Sequence, residues 1–220
     1  MCTAMVTPFH PDGSLDIDSA LKVAEKLVDD GCDSLVLSGT TGESPTTHQP
    51  EKDELVREVK AAVGDRAMII AGAGSNDTAH AVRIAEGAQR SGADGLLVVA
   101  PYYNRPSQAG VFAHITAVAD ATDLPVLVYD IPGRTGVKIS DGLLDQLAAH
   151  PRIHGVKDAT GDVPQGFERM GRTGLEYYSG DDALNFDWLA HGASGVISVV
   201  GHTAAADYAE MIREVDEGDL

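Results

Sequence analysis

Gly31-Cys32-Asp33-Ser34-Leu35-Val36-Leu37 is the stretch that decides the fold, because its pattern recurs along the chain. A glycine closes an amphipathic helical segment, a short polar or small segment follows, and an apolar run begins. The same junction returns as Gly92-Ala93-Asp94-Gly95-Leu96 and as Gly192-Ala193-Ser194-Gly195-Val196. Glycine is common just past the end of a helix, and short runs of Val, Leu and Ile are typical of strands buried on both faces. The junction therefore predicts helices that alternate with parallel strands.

Eight short segments are predicted to be strands, each followed by a helix: residues 4–9, 35–37, 68–70, 96–99, 126–129, 153–157, 175–179 and 196–200. Eight such units favour a closed (β/α)₈ barrel, the TIM barrel, over an open doubly wound sheet. No Gly-x-Gly-x-x-Gly motif follows the first strand, which argues against a dinucleotide-binding fold. We expect residues 1–220 to form a single catalytic barrel domain.

Helix starts are predicted from capping residues. Asp16 or Asp18, Asp77 and Asp141 stand where N-caps are expected, and Pro50 suits the first turn of another helix. The pair Asp181-Asp182 is likewise predicted to cap a helix and to complement its dipole.

The composition excludes several classes of partner. The chain has 34 Asp and Glu against 16 Lys and Arg, a net charge of −18, which disfavours nucleic acid and anionic membranes. A solvated acidic exterior explains this balance, and adaptation to high salt is the sharper alternative. There are two cysteines, no secretory signal and no apolar run of membrane-spanning length, so we expect a reduced, cytoplasmic setting.

Polar and charged groups collect where the predicted strands end. In a barrel of this type the C-terminal ends of the strands share one face, and function is concentrated there. Five of these ends carry groups suited to carbonyl chemistry on a small anion: residues 38–43, 101–106, 129–136, 157–161 and 179–182.

Lys157 closes one of these apolar strands. Desolvation lowers the pKa of a lysine, and a neutral amine near pH 7 can attack a carbonyl carbon to form a Schiff base. The alternative is a lysine whose ammonium simply extends to solvent at the rim of the sheet. The chemistry at the other strand ends favours the nucleophile.

Metal chemistry is not predicted. Among the eight histidines the one His-x-x-x-His spacing, His150 and His154, lies at the start of a predicted strand, and no Glu-x-x-His occurs, whereas a metal-dependent aldolase would need such ligands with carboxylates at strand ends.

Three motifs, in this order and spacing, give the chain a family resemblance. They are Gly-Thr-Thr-Gly-Glu at 39–43, Tyr-x-x-Pro-x-Arg-Thr-Gly at 129–136 and Gly-Val-Lys-Asp-Ala-Thr-Gly at 155–161. With them the chain resembles the dihydrodipicolinate synthase / N-acetylneuraminate lyase family, which comprises class I, Schiff-base pyruvate lyases and aldolases. The resemblance extends from Ala4 to about Val215. Members normally continue with further helices, and we expect this C-terminal helical extension to be absent from the chain.

The resemblance implies catalytic roles for four residues. Lys157 forms the imine with the keto carbon of pyruvate, and Tyr129 moves protons during that step. Thr41 links Tyr129 to Tyr103 in a proton relay, and in family members that second tyrosine reaches in from another subunit. The resemblance thus implies a homo-oligomer, a dimer or a tetramer.

The resemblance also implies substrate-binding residues. Thr40, with the backbone N–H groups of Thr40 and Thr41, holds the pyruvate carboxylate, while Gly180 and Ile197 line the pocket of the nucleophile. Arg134 is typical of the synthase branch, in which this position binds the carboxylate of aspartate semialdehyde; a guanidinium can hold a carboxylate through two hydrogen bonds.

The implied reaction condenses pyruvate with L-aspartate 4-semialdehyde to give 4-hydroxy-tetrahydrodipicolinate, the entry to diaminopimelate and lysine biosynthesis. No cofactor and no metal is implied, because the imine itself is the electron sink. Two alternatives stay open: a retro-aldol lyase acting on a sugar acid such as N-acetylneuraminate or a 2-keto-3-deoxy acid, and a barrel that binds a ligand without turnover.

Many members of the family are inhibited by lysine at a site where a carboxylate occupies the position of His80 and a histidine that of Lys52. With His80 and Lys52 in those places, the site lacks a counter-charge for the ammonium group of the inhibitor. We therefore expect this chain to be insensitive to lysine.

Overall fold

The computed structural model describes residues 1–218 and forms a closed barrel of eight parallel strands that pair in chain order. This confirms the predicted (β/α)₈ barrel. The strands are β1 Cys2–Ala4, β2 Ser34–Leu37, β3 Met68–Gly72, β4 Gly95–Val99, β5 Val126–Asp130, β6 Ile153–Asp158, β7 Glu176–Ser179 and β8 Gly195–Ser198.

Helices follow every strand and surround the barrel. They are α1 Ile17–Asp29, α2 Gln49–Val63, α3 Thr78–Arg90, α4 Gln108–Asp120, α5 Pro132–Thr135, α6 Asp141–Ala148, α7 Val163–Thr173, α8 Asn185–Ala190 and α9 Gly201–Glu217. The repeated junction acts as predicted. Gly31, Gly92 and Gly192 have φ of 105°, 90° and 89°, a left-handed conformation that favours glycine and lets the chain turn from a helix into the next strand.

The strands separate two layers of apolar side chains, because successive residues point to opposite faces. Leu35, Leu37 and Val98 face outward and pack under the helices in the larger core. Val36, Leu97 and the residues in register with them face inward and fill the barrel, in a smaller cluster made of Cys2, Ala4, Val36, Leu97, Tyr129 and Ile197. Side chains at the C-terminal end of this inner layer are therefore held on a packed base.

Every observed strand differs from its predicted bounds by at least one residue, and the first and last strands end earlier than predicted. The first strand is Cys2–Ala4, not 4–9, because beyond it the Val6 N–H donates to His202 Nε2 at 3.1 Å and Pro8 has no N–H to donate. The last strand stops at Ser198, because the N–H groups of Val199 and Val200 donate to the Asp182 carboxylate at 3.1 and 2.9 Å. In both places a side chain takes the place of the neighbouring strand as hydrogen-bond partner.

The helix caps agree with the prediction in part. Asp16 and Asp77 accept from Ser19 and His80 N–H groups, and α2 has Pro50 in its first turn. The prediction for Asp141 was wrong, since Ser140 caps α6 and the Asp141 carboxylate instead binds Arg169 at 2.7 Å.

Both cysteines are buried free thiols. No helix within residues 1–218 combines the length and the apolar character needed to cross a membrane.

Candidate active site

Lys157 lies near the end of β6 and points into the barrel. Its side chain is only 5% exposed, and the amine stands 4.5 Å from the centre of the Tyr129 ring. The two residues are register partners on the adjacent strands β5 and β6. Strand pairing therefore brings together the two side chains for which the sequence predicts catalytic roles.

Burial changes the chemistry of the Lys157 amine. Desolvation lowers its pKa to about 8, against weaker opposing effects of Cys2 and Asp182 that favour the charged form. With that pKa about one amine in ten is neutral at pH 7, compared with fewer than one in a thousand for an ordinary lysine. A neutral amine carries the lone pair that a carbonyl carbon needs for attack. Among the described residues no carboxylate lies within ion-pair distance of this amine.

Gly180 makes room for the lysine. A side-chain carbon at position 180 would lie 2.9 Å from Lys157 Cε and 3.1 Å from Ala159 Cβ. Ile197 is fully buried in the same inner layer as Tyr129. Gly180 therefore borders the lysine side chain, and Ile197 belongs to the inner layer of the barrel.

Asp181 and Asp182 have different roles. Asp181 caps the short 3-10 turn Asp182–Leu184, as predicted. Asp182 does not act as a cap. It accepts hydrogen bonds from the Ser198 hydroxyl and from two backbone N–H groups beyond β8, so it ties the exits of β7 and β8 together. The sequence carries no signal for this contact, because the partners lie 16 to 18 residues away.

A cavity of about 310 Å³ opens at this end of the barrel. Its lining includes four residues with predicted roles, Thr40, Tyr103, Tyr129 and Arg134, beside the apolar side chains of Leu97, Val99 and Ile131. Lys157 is absent from this lining and is adjacent to it through Tyr129. A small keto acid fits such a volume, with an apolar base and polar groups at one end.

The threonine beside the Tyr129 phenol is Thr40. Burial raises the pKa of Tyr129, while the charge of Arg134 and the polar side chain of Thr40 lower it. Thr41, which the sequence predicts as the relay residue, does not line the cavity. The two threonines are adjacent, so the motif brings both to the site but does not say which hydroxyl faces the tyrosine.

The loop that carries these threonines presents unpaired backbone donors. Ser38 and Glu43, at its two ends, adopt left-handed φ of 53° and 58°. Within residues 1–218 the N–H groups of Thr40 and Thr41 find no acceptor. Successive free N–H groups in a strained turn are suited to an anion such as a carboxylate.

The Tyr103 side chain is exposed to solvent at the rim of the cavity and is not packed against the core. Its side chain is 84% exposed, although the residue has a strained left-handed φ of 71°, and its N–H donates to Thr135 O at 3.2 Å. A large aromatic side chain held in this way at the cavity rim is typical of an interface residue.

Lys52 is a second buried lysine, beneath the wall of the cavity. Its amine donates to the Ser44 carbonyl at 2.8 Å and to the Thr47 hydroxyl, and desolvation lowers its pKa to about 8. The Lys52 amine is thus hydrogen-bonded to the loop that contains Ser44, a residue of the cavity lining. Insensitivity to lysine stays a prediction.

The comparisons with known proteins agree with this site. A family model described as the dihydrodipicolinate synthetase family matches residues 1–220, and the chain belongs to that family. The 4-hydroxy-tetrahydrodipicolinate synthase of Mycolicibacterium paratuberculosis is 59% identical over 218 residues, which covers 99% of this chain and 73% of the relative. The enzyme of the same name from Mycobacterium leprae is 59% identical over 220 residues, covering 100% of this chain and 73% of the relative.

Solved structures give the same result. The chloride-inhibited dihydrodipicolinate synthase from Acinetobacter baumannii, complexed with pyruvate, superposes with a TM-score of 0.95 at 39% identity and covers 99% of this chain and 76% of its own. A monomeric dihydrodipicolinate synthase variant superposes with a TM-score of 0.93 at 36% identity, with coverage of 99% and 74%.

The geometry around Tyr129 predicts different effects for the two threonines. Tyr129→Phe should lower turnover of pyruvate by about 10²–10⁴-fold, the usual contribution of a general acid–base group. Thr40→Val should lower turnover as well, while Thr41→Val should mainly raise the KM for pyruvate. Steady-state kinetics on variants with unchanged melting temperature check this. Loss of turnover in Thr41→Val but not in Thr40→Val would return the relay to Thr41.

Proposed function

We propose that this chain is a class I lyase that condenses pyruvate with L-aspartate 4-semialdehyde to give 4-hydroxy-tetrahydrodipicolinate, the entry to diaminopimelate and lysine biosynthesis. The observation that carries the proposal is the Lys157 amine, which is buried, free of a carboxylate partner among residues 1–218, and held against Tyr129 with a pKa of about 8. Membership in the family and the names of the relatives support the same reaction.

The first half of the reaction uses Lys157 as nucleophile. The neutral amine attacks the keto carbon of pyruvate, the carbonyl oxygen leaves as water, and an imine joins the two. Tyr129 donates and accepts the protons that these steps need. Because its phenol is buried and its pKa is raised, it requires a hydrogen-bonded partner, and we assign this role to the Thr40 hydroxyl.

Pyruvate is oriented by its carboxylate. We assign this group to the free N–H groups of Thr40 and Thr41, with the Thr41 hydroxyl beside them. The methyl carbon of the bound pyruvate then loses a proton to give an enamine. The imine nitrogen stores the electron pair in this step, so no external cofactor is required.

The second substrate is selected by Arg134. It lines the cavity from the short helix α5 and is solvent-exposed, so its guanidinium is free to hold the carboxylate of the incoming semialdehyde. A sugar-acid substrate has hydroxyl groups where the semialdehyde has its carboxylate. An arginine at position 134 therefore favours the synthase reaction over the lyase reaction.

The site is proposed to be completed by a second copy of the chain. Tyr103 is exposed in one subunit, and we propose that it enters the relay of its partner in a homo-oligomer. Because a monomeric dihydrodipicolinate synthase variant is known, the oligomeric state has to be measured for each member of the family.

Borohydride trapping tests the proposed function. With pyruvate and borohydride, the protein should lose activity and gain one reduced three-carbon unit on Lys157, which peptide mass mapping locates. Lys52 is the matched control, because its amine is also buried with a pKa of about 8 but is held by Ser44 and Thr47. An adduct on Lys52, or an active protein with no adduct, would contradict the Schiff-base mechanism. An adduct without condensation would indicate the non-catalytic barrel.

Arg134→Lys tests the choice of the second substrate. The variant keeps the charge that acts on Tyr129 but loses the bidentate geometry, so imine formation with pyruvate should persist. The KM for aspartate semialdehyde should rise about 10–100-fold, which corresponds to about 1.5–3 kcal/mol. An unchanged KM, or a wild type that cleaves N-acetylneuraminate and ignores the semialdehyde, would show that Arg134 does not select this substrate.

A further inference from the structure

We propose that Arg169 is a positioning residue for the reaction, because it binds Asp130, the buried carboxylate that follows Tyr129, beside Asp158, the buried carboxylate that follows Lys157. The inference rests on the proposed function, since it concerns how the two catalytic side chains are kept in register. Arg169 belongs to α7, outside the barrel, and contacts neither the cavity nor the amine.

Side chains alternate between the two faces of the barrel wall at the ends of β5 and β6. Tyr129 and Lys157 are register partners and point into the barrel. Asp130 and Asp158, one residue further on, are also register partners and point outward. Each carboxylate is only 1% exposed. A displacement of either carboxylate therefore moves the catalytic side chain that precedes it.

Arg169 joins three elements at this place. Its side chain is 3% exposed, and each of its three nitrogens has a partner. One nitrogen donates to Asp130 at 3.3 Å, another to Asp141 at the start of α6 at 2.7 Å, and the third to the Ile139 carbonyl at 2.8 Å. The Ile139 N–H in turn donates to Asp130 at 3.3 Å. The guanidinium thus anchors the end of β5 to α6 and α7.

The buried cluster of Asp130, Asp158 and Arg169 contains two carboxylates and one positive charge. Asp130 and Asp158 face one guanidinium, and Asp158 Oδ2 is buried with no hydrogen-bond partner among the residues described. Burial and the facing carboxylate raise the pKa of Asp130 to about 6, while Arg169 lowers it. Burial also raises the pKa of Asp158, against hydrogen bonds from Thr160 and the charge of Arg169. Without the guanidinium, the two carboxylates would repel each other across the strand pair.

Other charged or titratable groups near the cluster are few. Arg172 and Lys138 contribute positive charge from the surface, and Tyr177 on β7 has its pKa raised by burial and by the nearby carboxylates. Arg172 is 38% exposed and pairs with Asp145 at 2.7 Å. It lies on the same helix as Arg169 without contacting Asp130 or Asp158, so it is a matched control for the loss of one positive charge.

The test compares Arg169→Met with the wild type and Arg172→Met over pH 6 to 9, using kcat and the rate of borohydride trapping of pyruvate on Lys157. Misplacement of a catalytic group by about 1 Å can cost about 10²-fold, so we expect the Arg169→Met rate to fall about 10–100-fold at pH 8. The deficit should shrink toward pH 6, because protonation of Asp130 relieves the repulsion. Arg172→Met should stay within about twofold at every pH.

A second substitution separates positioning from packing. In Arg169→Met with Asp130→Asn, the repulsion is gone, so the rate at pH 8 should recover most of the loss and the deficit should no longer depend on pH. A deficit in Arg169→Met that is constant with pH and unrelieved by Asp130→Asn would overturn the proposal, as would a full rate in a variant that only melts earlier.

If the Arg169→Met variant does not fold, the Arg169→Lys variant is measured in its place. It keeps the charge and cannot make all three contacts, so its rate should fall several-fold, and an unchanged rate in the folded protein would contradict the proposal. The two proposals fail differently. A wild type with no adduct on Lys157 refutes the function, whereas equal trapping rates in wild type and Arg169→Met refute the positioning role alone.

Discussion

Desolvation of the Lys157 amine is the constraint on which the rest of the site depends. A lysine at this depth would be costly as an ordinary cation, and the barrel lowers its pKa to about 8 by burial rather than by a neighbouring positive charge. The surrounding features preserve that environment. Gly180 leaves space for the side chain, the inner apolar layer excludes water beneath it, and Tyr129 covers it at 4.5 Å. The fold supplies reactivity through the position of one amine.

The same two strands have a second role on their outer face. Tyr129 and Lys157 point inward, while Asp130 and Asp158 point outward into a buried cluster with Arg169. A buried guanidinium with several partners is a directional constraint, and removing one member leaves uncompensated charge. In the proposed mechanism, the positions of Tyr129 and Lys157 inside the barrel thus depend on the charged cluster between the barrel and its helices. Each carboxylate is the residue directly after a side chain of the site, so a small local shift is enough and whole helices or strands need not move.

Local signals explain what the sequence predicted well. Apolar runs and helix-ending glycines indicate strands, and barrel closure then gathers the strand ends, so the positions of Lys157, Tyr129 and Arg134 at one end of the barrel could be predicted, while their roles stay predictions. The features that the sequence could not indicate depend on the direction of a side chain or on distant partners. Thr40 and Thr41 are adjacent, and only the backbone of their loop decides which one meets Tyr129. Arg169 and Asp130 lie 39 residues apart with no motif between them. The end of β8 depends on a carboxylate from the preceding strand exit.

The role of desolvation is tested most directly by the pKa of the Lys157 amine in the free protein. Lysine labelled with ¹³C at the ε carbon gives an NMR signal that follows each amine through its titration, and the signal lost in Lys157→Arg identifies this residue. We expect the Lys157 signal to titrate near pH 8, well below those of the exposed lysines. A midpoint at the ordinary lysine value of about 10.4 would contradict it, because the amine would then be almost fully protonated at neutral pH.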